Sequence, residues 1–564
     1  MCIRDSNRII KFLLAISFII STNSVLAQCD SGRAGAQTAQ GVVFADSNNN
    51  GVREAHETGV ANVALSNGCD VTITNSDGRY EISIAPAEIV FISKPANYLV
   101  PVDESNVPQF FYSHYPNGTP AQIAGTSVEW MWPVIEATGP LPTSVDFPLI
   151  PTESGIKFLA HGFADTQAQY ETGQDMIRED LVNPLINNPF GVEFGLTVGD
   201  VVFDNLELYD RHKAMMGLMG IPQWYLPGNH DMNFESPNAQ FANETYKKHF
   251  GPPYYSFDYG NVHFVALNNV EYAGAGNEFS SSVYRGYISE VQLQWLRNDL
   301  AHVPTDKLIV IASHIPLIAE ADDGVSSILT GPNTENFVEL LEILEPFENI
   351  YGLAGHDTSN SFKVQVNHQH GWNGKPWIAH TLGEVRGSGW TRGPRDFRGV
   401  RDAIMEDGNP NGFYVLKFNN VDLVPEFIPF PSSADGTNRM RIMLDPPLAL
   451  SELNGIHRGV LQAGTKLVVN LFDGGIRDSV RASINGNEEI LMAYRVRTDP
   501  FIETLYEEFR GTDDAYPTPD RSSHIWEVAI PENLSTGLHH IVVRSTDEFG
   551  QSQRGTFTFE LEDN

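Results

Sequence analysis

The sequence predicts an α/β fold in which a layered core lies between two all-β segments, and three observations predict it. Between Gly155 and Leu353, apolar runs of strand length alternate with longer amphipathic stretches, the pattern of sheets covered by helices. From Gln40 to Leu149, short alternating runs are separated by turn signals. From Phe427 to Asn564 the same short-strand punctuation returns, as in a β-sandwich.

A chain of 564 residues is too long for one hydrophobic core. At about 100–200 residues per domain it divides into about three or four. Hydrophobic residues make up 41% and charged residues 19%, which excludes a disordered chain. The formal net charge is −35 and the pI about 4.7, so the surface repels nucleic acid backbones and anionic membranes, and no binding to a nucleic acid backbone is expected.

At the start, Arg8 and Lys11 precede the apolar run Phe12–Ile20, and Val25-Leu26-Ala27 follows as a cleavage site. These are the three parts of a secretory signal peptide, so a periplasmic or secreted product is expected. Gln28 stands where a lipobox needs Gly or Ala, which makes lipidation of Cys29 the weaker reading. No later run is apolar for long enough to cross a membrane. Cys29 and Cys69 remain after cleavage, as one disulfide or as two thiols, and two cysteines exclude a thiolate zinc site. The expected division is a signal peptide at 1–27, a β-sandwich domain at 28–150, a layered α/β domain at 151–426 and a β domain at 427–564.

In the first β segment, strands are expected at Val60–Leu65, Asp70–Thr74 and Tyr80–Ile84, with turns at Ser66-Asn67-Gly68 and Ser76-Asp77-Gly78. Before them, Asp46, Asn48 and Asn50 alternate ahead of Gly51, with Glu54 and Glu57 beyond. Side-chain oxygens so spaced suit a structural calcium ion, and the loop resembles calcium-binding loops in β-sandwich repeats of bacterial surface adhesins. The alternative is an Asx-rich loop capped by its own side chains. A Pro-rich stretch, Pro140–Pro151, reads as a linker or sheet-crossing segment and leads into the core. There, strands are expected at Ile156–Phe163, Phe194–Val198, Trp224–Leu226, Val262–Leu267, Leu308–Ala312 and Ile350–Leu353, and helices at Ala168–Ile186 and Glu290–Leu300.

Five polar motifs follow strand-like runs of this core. They are Asp165-Thr166-Gln167, Gly199-Asp200 with Asp204, Gly228-Asn229-His230-Asp231, Ser313-His314 and Gly355-His356-Asp357. In an α/β sheet, ligand-binding groups collect at the carboxyl ends of strands. Asp, Asn and His arriving five times in one crevice supply carboxylates, amide oxygens and imidazoles, the donors for a pair of divalent ions. Such a pair suits in-line attack of a metal-bound hydroxide on phosphorus.

In order and spacing the motifs resemble the signature of calcineurin-like metallophosphoesterases. Gly387-Ser388-Gly389-Trp390, Asp407–Phe413, Asp499-Pro500-Phe501, Ser523–Trp526 and Gly537-Leu538-His539 resemble the subgroup with added N-terminal and C-terminal β domains. The resemblance implies a central four-layer α/β/β/α metallophosphoesterase domain flanked by an N-terminal β-sandwich and a C-terminal β-sandwich-like domain. It implies that Asp200 bridges two metals, that Asn229, His314 and His356 complete the second site, and that Asp165 and Gln167 hold the first. It also implies that His230, oriented by Asp204, protonates the leaving oxygen or steadies the phosphoryl charge. The implied substrate is a small-molecule phosphomonoester or phosphodiester.

Two departures fall on the first metal. The family commonly has Asp-x-His where this chain has Asp165-x-Gln167, and Gly-His-x-His where it has Gly355-His356-Asp357-Thr358. The ions in question are Mn, Mg, Fe, Zn or Ca; the remaining oxygen donors shift the first site toward Mg, Mn or Ca. Asp357, His368, His370 and His380 are candidate substitutes for the missing imidazole. The alternative is a catalytically impaired scaffold acting as an extracellular binding module. Arg386, Arg392 and Arg395 are candidates for clamping a phosphate, against surface ion pairing. Tyr254, Tyr255, Tyr284 and Tyr287 are candidates for an apolar wall, against core packing, while His161 and His263 read as strand residues without chemistry.

Overall fold

Strands with every residue buried set the centre of the molecule. In the strand Leu308–Ala312, the sequence Leu-Ile-Val-Ile-Ala is buried throughout, as a strand covered on both faces must be. The computed structural model describes residues 33–280, 282–318, 333–386, 390–402, 404–430, 439–448 and 457–563. The expected signal segment, Cys29 and Gly387–Gly389 lie outside them; Cys69 is disulfide-bonded, to a partner outside the described residues.

Two mixed sheets form the middle of the chain, and few helices accompany them. One sheet runs in the order Gln223–Leu226, Phe194–Val198, Lys157–Phe163, Gly412–Asn419, Asp422–Pro429; its first two pairings are parallel and its last two antiparallel. The other runs Tyr255–Tyr259, Val262–Ala266, Leu308–Ala312, Asn349–Ala354, Trp377–Thr381, Phe362–Val366, parallel across its middle and antiparallel at both ends. Aromatic rings join them: Trp224 stacks on Phe257 with centroids 4.1 Å apart, and Phe158 meets Phe264 edge-on at 6.4 Å. On the first sheet's other side, Phe163, Phe413 and Val415 pack with Met176 and Ile177 of the helix Glu171–Ile177 and with Met215 and Met216 of the helix Tyr209–Gly217.

The helix Glu290–Leu300 forms where its pattern predicts. Ser289 caps it by accepting the Gln292 N–H, and Leu293, Leu296 and Leu300 make its buried stripe. The expected helix Ala168–Ile186 is instead broken into α-helix Glu171–Ile177, a π-turn Arg178–Val182 and a single turn Asn183–Leu185. Pro184 has no N–H to donate to the carbonyl four residues back, so regular α-helical bonding cannot run through it.

Before the core, two four-stranded sheets contain Gln37–Ala45 and Glu88–Ile92, and the second places Phe91 6.2 Å from Trp295 and Phe110 5.1 Å from Trp224. The Lys94 ammonium is buried at this junction and donates to the carbonyls of Pro95, Tyr98 and Asp258. After the core, the strand sets around Lys466–Leu471 and around Gly537–Thr546 share one cluster, with Leu467, Val469 and Trp526 from one and Val480, Ile541 and Phe559 from the other.

A buried network beneath the second sheet carries a pH prediction. His263 Nδ1 lies 2.7 Å from Asp258 and Nε2 2.9 Å from Asp299, while Ser256 donates to Asp299 at 3.0 Å. Burial pulls the imidazole down, but Asp299 and Asp258 outweigh it and push it up to about 9. Its stabilising contribution is therefore full below the unfolded value of about 6.5 and is lost as pH rises through about 9. The urea midpoint is expected to fall between about pH 7 and about pH 10, and to fall less for His263→Gln. Equal slopes in the two proteins would count against this network.

Candidate metal centre

Three motifs leave the carboxyl ends of the first sheet and two leave those of the second. Asp165 follows Lys157–Phe163, Asp200 follows Phe194–Val198, and Asn229 follows Gln223–Leu226. His314 and His356 follow Leu308–Ala312 and Asn349–Ala354. The chain turns sharply at these points. Asp165, Gln167, Asp200, Asp204 and His356 all have positive φ (51°, 36°, 49°, 59° and 70°), a conformation that costs non-glycine residues about 1–3 kcal/mol each and clusters at working sites. Glycine opens the space between the turns: a Cβ on Gly228 would sit 2.0 Å from Asp200 Oδ1, and one on Gly355 2.4 Å from Asp165 Oδ2.

Asp200, His314 and His356 point one ligand atom each at a common position, all within 4.8 Å of one another. His314 Nε2 lies 3.2 Å from Asp200 Oδ1, 3.0 Å from Asn229 Oδ1 and 3.2 Å from His356 Nδ1. Its Nδ1 lies 3.0 Å from the Val198 carbonyl, which fixes the ring and leaves Nε2 aimed inward. This donor set, one carboxylate, one amide oxygen and two imidazoles, fits a divalent cation.

The Asp165 side is built differently. Both Asp165 oxygens accept the His356 N–H, at 3.1 and 2.9 Å. The Gln167 amide nitrogen donates to Asp165 at 3.3 Å and to Asp200 Oδ2, while its oxygen is turned away and accepts from Arg386. Of the candidate substitutes, Asp357 caps a turn by accepting the Ser359 and Asn360 N–H groups. His380 is held between Tyr351 and Asp473, and His370 bonds the Asn367 N–H within the turn His368–His370. Thr358 lines a cavity of about 190 Å³ with Arg386, Thr391, Arg392, Glu406 and Pro517. Arg395 instead donates to the Gly399 carbonyl.

Burial and charge tune the group together. Burial pushes the Asp200 carboxyl up, but His314 and His230 pull it below the ordinary carboxylate range. Burial pulls the His314 ring down, and Asp200 reverses this to about 9. Burial and His314 together hold His356 down at about 3. Burial raises Asp165 to about 7 against the pull of His314.

His230 stands at the rim. Its Nδ1 lies 2.8 Å from Asp204, its backbone N–H donates to Asp200 at 2.9 Å, and its ring stacks on Phe203 at 3.9 Å. Tyr284 approaches His356 edge-on at 5.9 Å, whereas Tyr254, Tyr255 and Tyr287 spend their hydroxyls on Gly68, Tyr225 and Glu290.

Sequence reasoning missed two groups here. Asp231, the last residue of a recognised motif, accepts from the N–H groups of Gly228, Val201 and Val202 and from Tyr209, tying the Asp200 turn to the Asn229 turn. Glu384 is fully buried with neither oxygen hydrogen-bonded, and burial raises its carboxyl far above the ordinary value against the pull of Arg386. No sequence signal marked it.

The loop Asp46–Gly51 is closed on itself. Asp46 accepts from the Asn50 and Gly51 N–H groups, Asn48 from Asn50 and Asn50 from Val52, so these oxygens cap the turn. Nearby, Glu54, His56 and Glu57 gather their ligand atoms.

Family models of the N-terminal and the C-terminal part of calcineurin-like phosphoesterases match residues 47–124 and 379–552. No curated protein matches the chain. Among solved structures, it is similar to a purple acid phosphatase from yellow lupin (Lupinus luteus) seeds, with a TM-score of 0.34 and 13% identity over 72% of this chain and 68% of that one. It is also similar to the Clostridium perfringens spore cortex lytic enzyme SleM, with a TM-score of 0.17 and 10% identity over 72% of this chain and 99% of that one.

Proposed function

With membership of the calcineurin-like phosphoesterases as the premise, we propose that this chain is exported and hydrolyses a small-molecule phosphomonoester or phosphodiester. The single observation behind the reading is the convergence of Asp200, His314 and His356 on one position. A divalent cation held there by these residues and Asn229 would supply Lewis-acid charge at a phosphoryl oxygen. His230, braced by Asp204 and Phe203, is positioned to hand a proton to the leaving oxygen. We further propose the four-layer α/β/β/α arrangement for residues 151–426, with β-sandwich domains at 28–150 and 427–564. Aromatic packing between the two central sheets supports it. Export rests on the pattern of residues 1–27 and is consistent with the disulfide at Cys69.

The full chain with manganese is expected to hydrolyse p-nitrophenyl phosphate or its bis-ester. Failure on both would favour the binding-module alternative, toward which Gln167 and Thr358 point. His230→Gln is expected to lower kcat by about 10²-fold. The loss should be greater for alkyl esters, whose leaving oxygen needs the proton, than for p-nitrophenyl esters. An equal loss on both would remove His230 from the proton's path.

A further inference from the structure

Resting on the phosphoesterase reading above, we propose that this centre holds one divalent cation, on Asp200, Asn229, His314 and His356, and that the Gln167 amide, fixed by the Arg386 guanidinium behind it, takes the place of a second. Three observations carry it. The first concerns the Gln167 amide. It has one acceptor and one donor end, and Arg386 occupies the acceptor. The donor end therefore faces Asp165 and Asp200, presenting protons where a cation would need an oxygen. Turning the amide over would set its NH2 against a guanidinium, which has no acceptor to offer.

The second is the ligand count. Asp357 is committed to its turn, His380 to Asp473, and Thr358 borders the cavity that Arg386 also lines. Among the described residues, Asp165 and Asp200 are the carboxylates linked to Gln167, and the buried Glu384 carboxyl, which acts on Arg386 and Asp165, is hydrogen-bonded to neither. The third is the placement of the positive charge. The guanidinium lies 5.1 Å over the Phe203 ring, and His230 stacks on the same ring at 3.9 Å. Arg386 and His230 thus share one aromatic plate, with Arg386 bonded to Gln167 and His230 to Asp200. A guanidinium there matches phosphoryl oxygens and repels a second cation.

Manganese titration of the metal-stripped full chain, read by calorimetry and elemental analysis, is expected to show one equivalent that Asp200→Asn removes. Electron paramagnetic resonance of the saturated protein should show an isolated Mn(II) ion. Two equivalents that Asp200→Asn removes together, or an exchange-coupled pair, would overturn the proposal, as would no binding at all. The triple variant Gln167→His, Thr358→His, Arg386→Ala is expected to take up two equivalents. A soluble triple variant that still takes up one would remove Arg386 and Gln167 as the cause, and if it does not fold the wild-type spectrum decides alone. One bound equivalent without hydrolysis would sink the phosphoesterase reading and leave this one standing.

Discussion

Asp200→Asn is expected to reduce kcat/KM for phosphoester hydrolysis by roughly 10³-fold or more, the scale of losing a charge that acts directly at the reacting centre. The carboxylate is 1% exposed and serves three elements at once. Its Oδ1 accepts the His230 N–H and faces His314, and its Oδ2 accepts from Gln167. Asn keeps the volume and one acceptor oxygen, so the His230 turn should survive and circular dichroism should match the wild type. What disappears is the negative charge that raises His314 to about 9 and that completes the cation-binding trio. Manganese affinity should fall with activity, and Asp200→Ala should behave no better. Retention of more than about a tenth of wild-type activity would show that chemistry occurs elsewhere.

Much of this centre was legible because its residues arrive one after another at strand ends. Leu308–Ala312 reads as a buried strand from five apolar residues, and His314 then has one place to go. The Glu290–Leu300 helix was equally plain, since its cap and stripe lie within its own twelve residues, Ser289 included. Features set by distant partners were not legible. The sequence showed that Gln167 replaces an imidazole, but which end of the amide faces inward is decided by Arg386, 219 residues away. The expected strand Val60–Leu65 is observed at Ala64–Ser66, because its extent depends on pairing with Val71–Ile73 and Glu88–Ile92. Positive φ at Asp165 and Asp200 leaves no mark on composition, since aspartate is common in ordinary turns as well. No sequence signal marked Lys363 or Asp473, yet only 6% and 8% of their side chains is exposed.

That last pair predicts the largest effect on stability. Asp473 follows the strand Lys466–Leu471 in the C-terminal segment, and its carboxylate is surrounded by groups from three core strands. Lys363 Nζ lies 3.0 Å away, His380 Nε2 2.9 Å and the Tyr414 hydroxyl 2.9 Å. Burial pushes this carboxyl up, but Lys363 and His380 hold it well below the ordinary range. Asp473→Ala is expected to destabilise the chain by about 3–5 kcal/mol, because the Lys363 ammonium stays buried after its closest counter-charge is gone. Asp473→Asn should cost less, since an amide still accepts from Tyr414 and tolerates the residue's φ of 53°. Pairing Asp473→Leu with Lys363→Met should recover part of the loss, because apolar groups remove the unpaired charge along with its partner. Urea unfolding followed by tryptophan fluorescence measures the ranking, and limited proteolysis shows whether residues after Phe430 are released first. An Asp473→Ala variant within about 1 kcal/mol of the wild type would mean that water or Asp478 and Glu548, which also act on Lys363, replace the lost carboxylate.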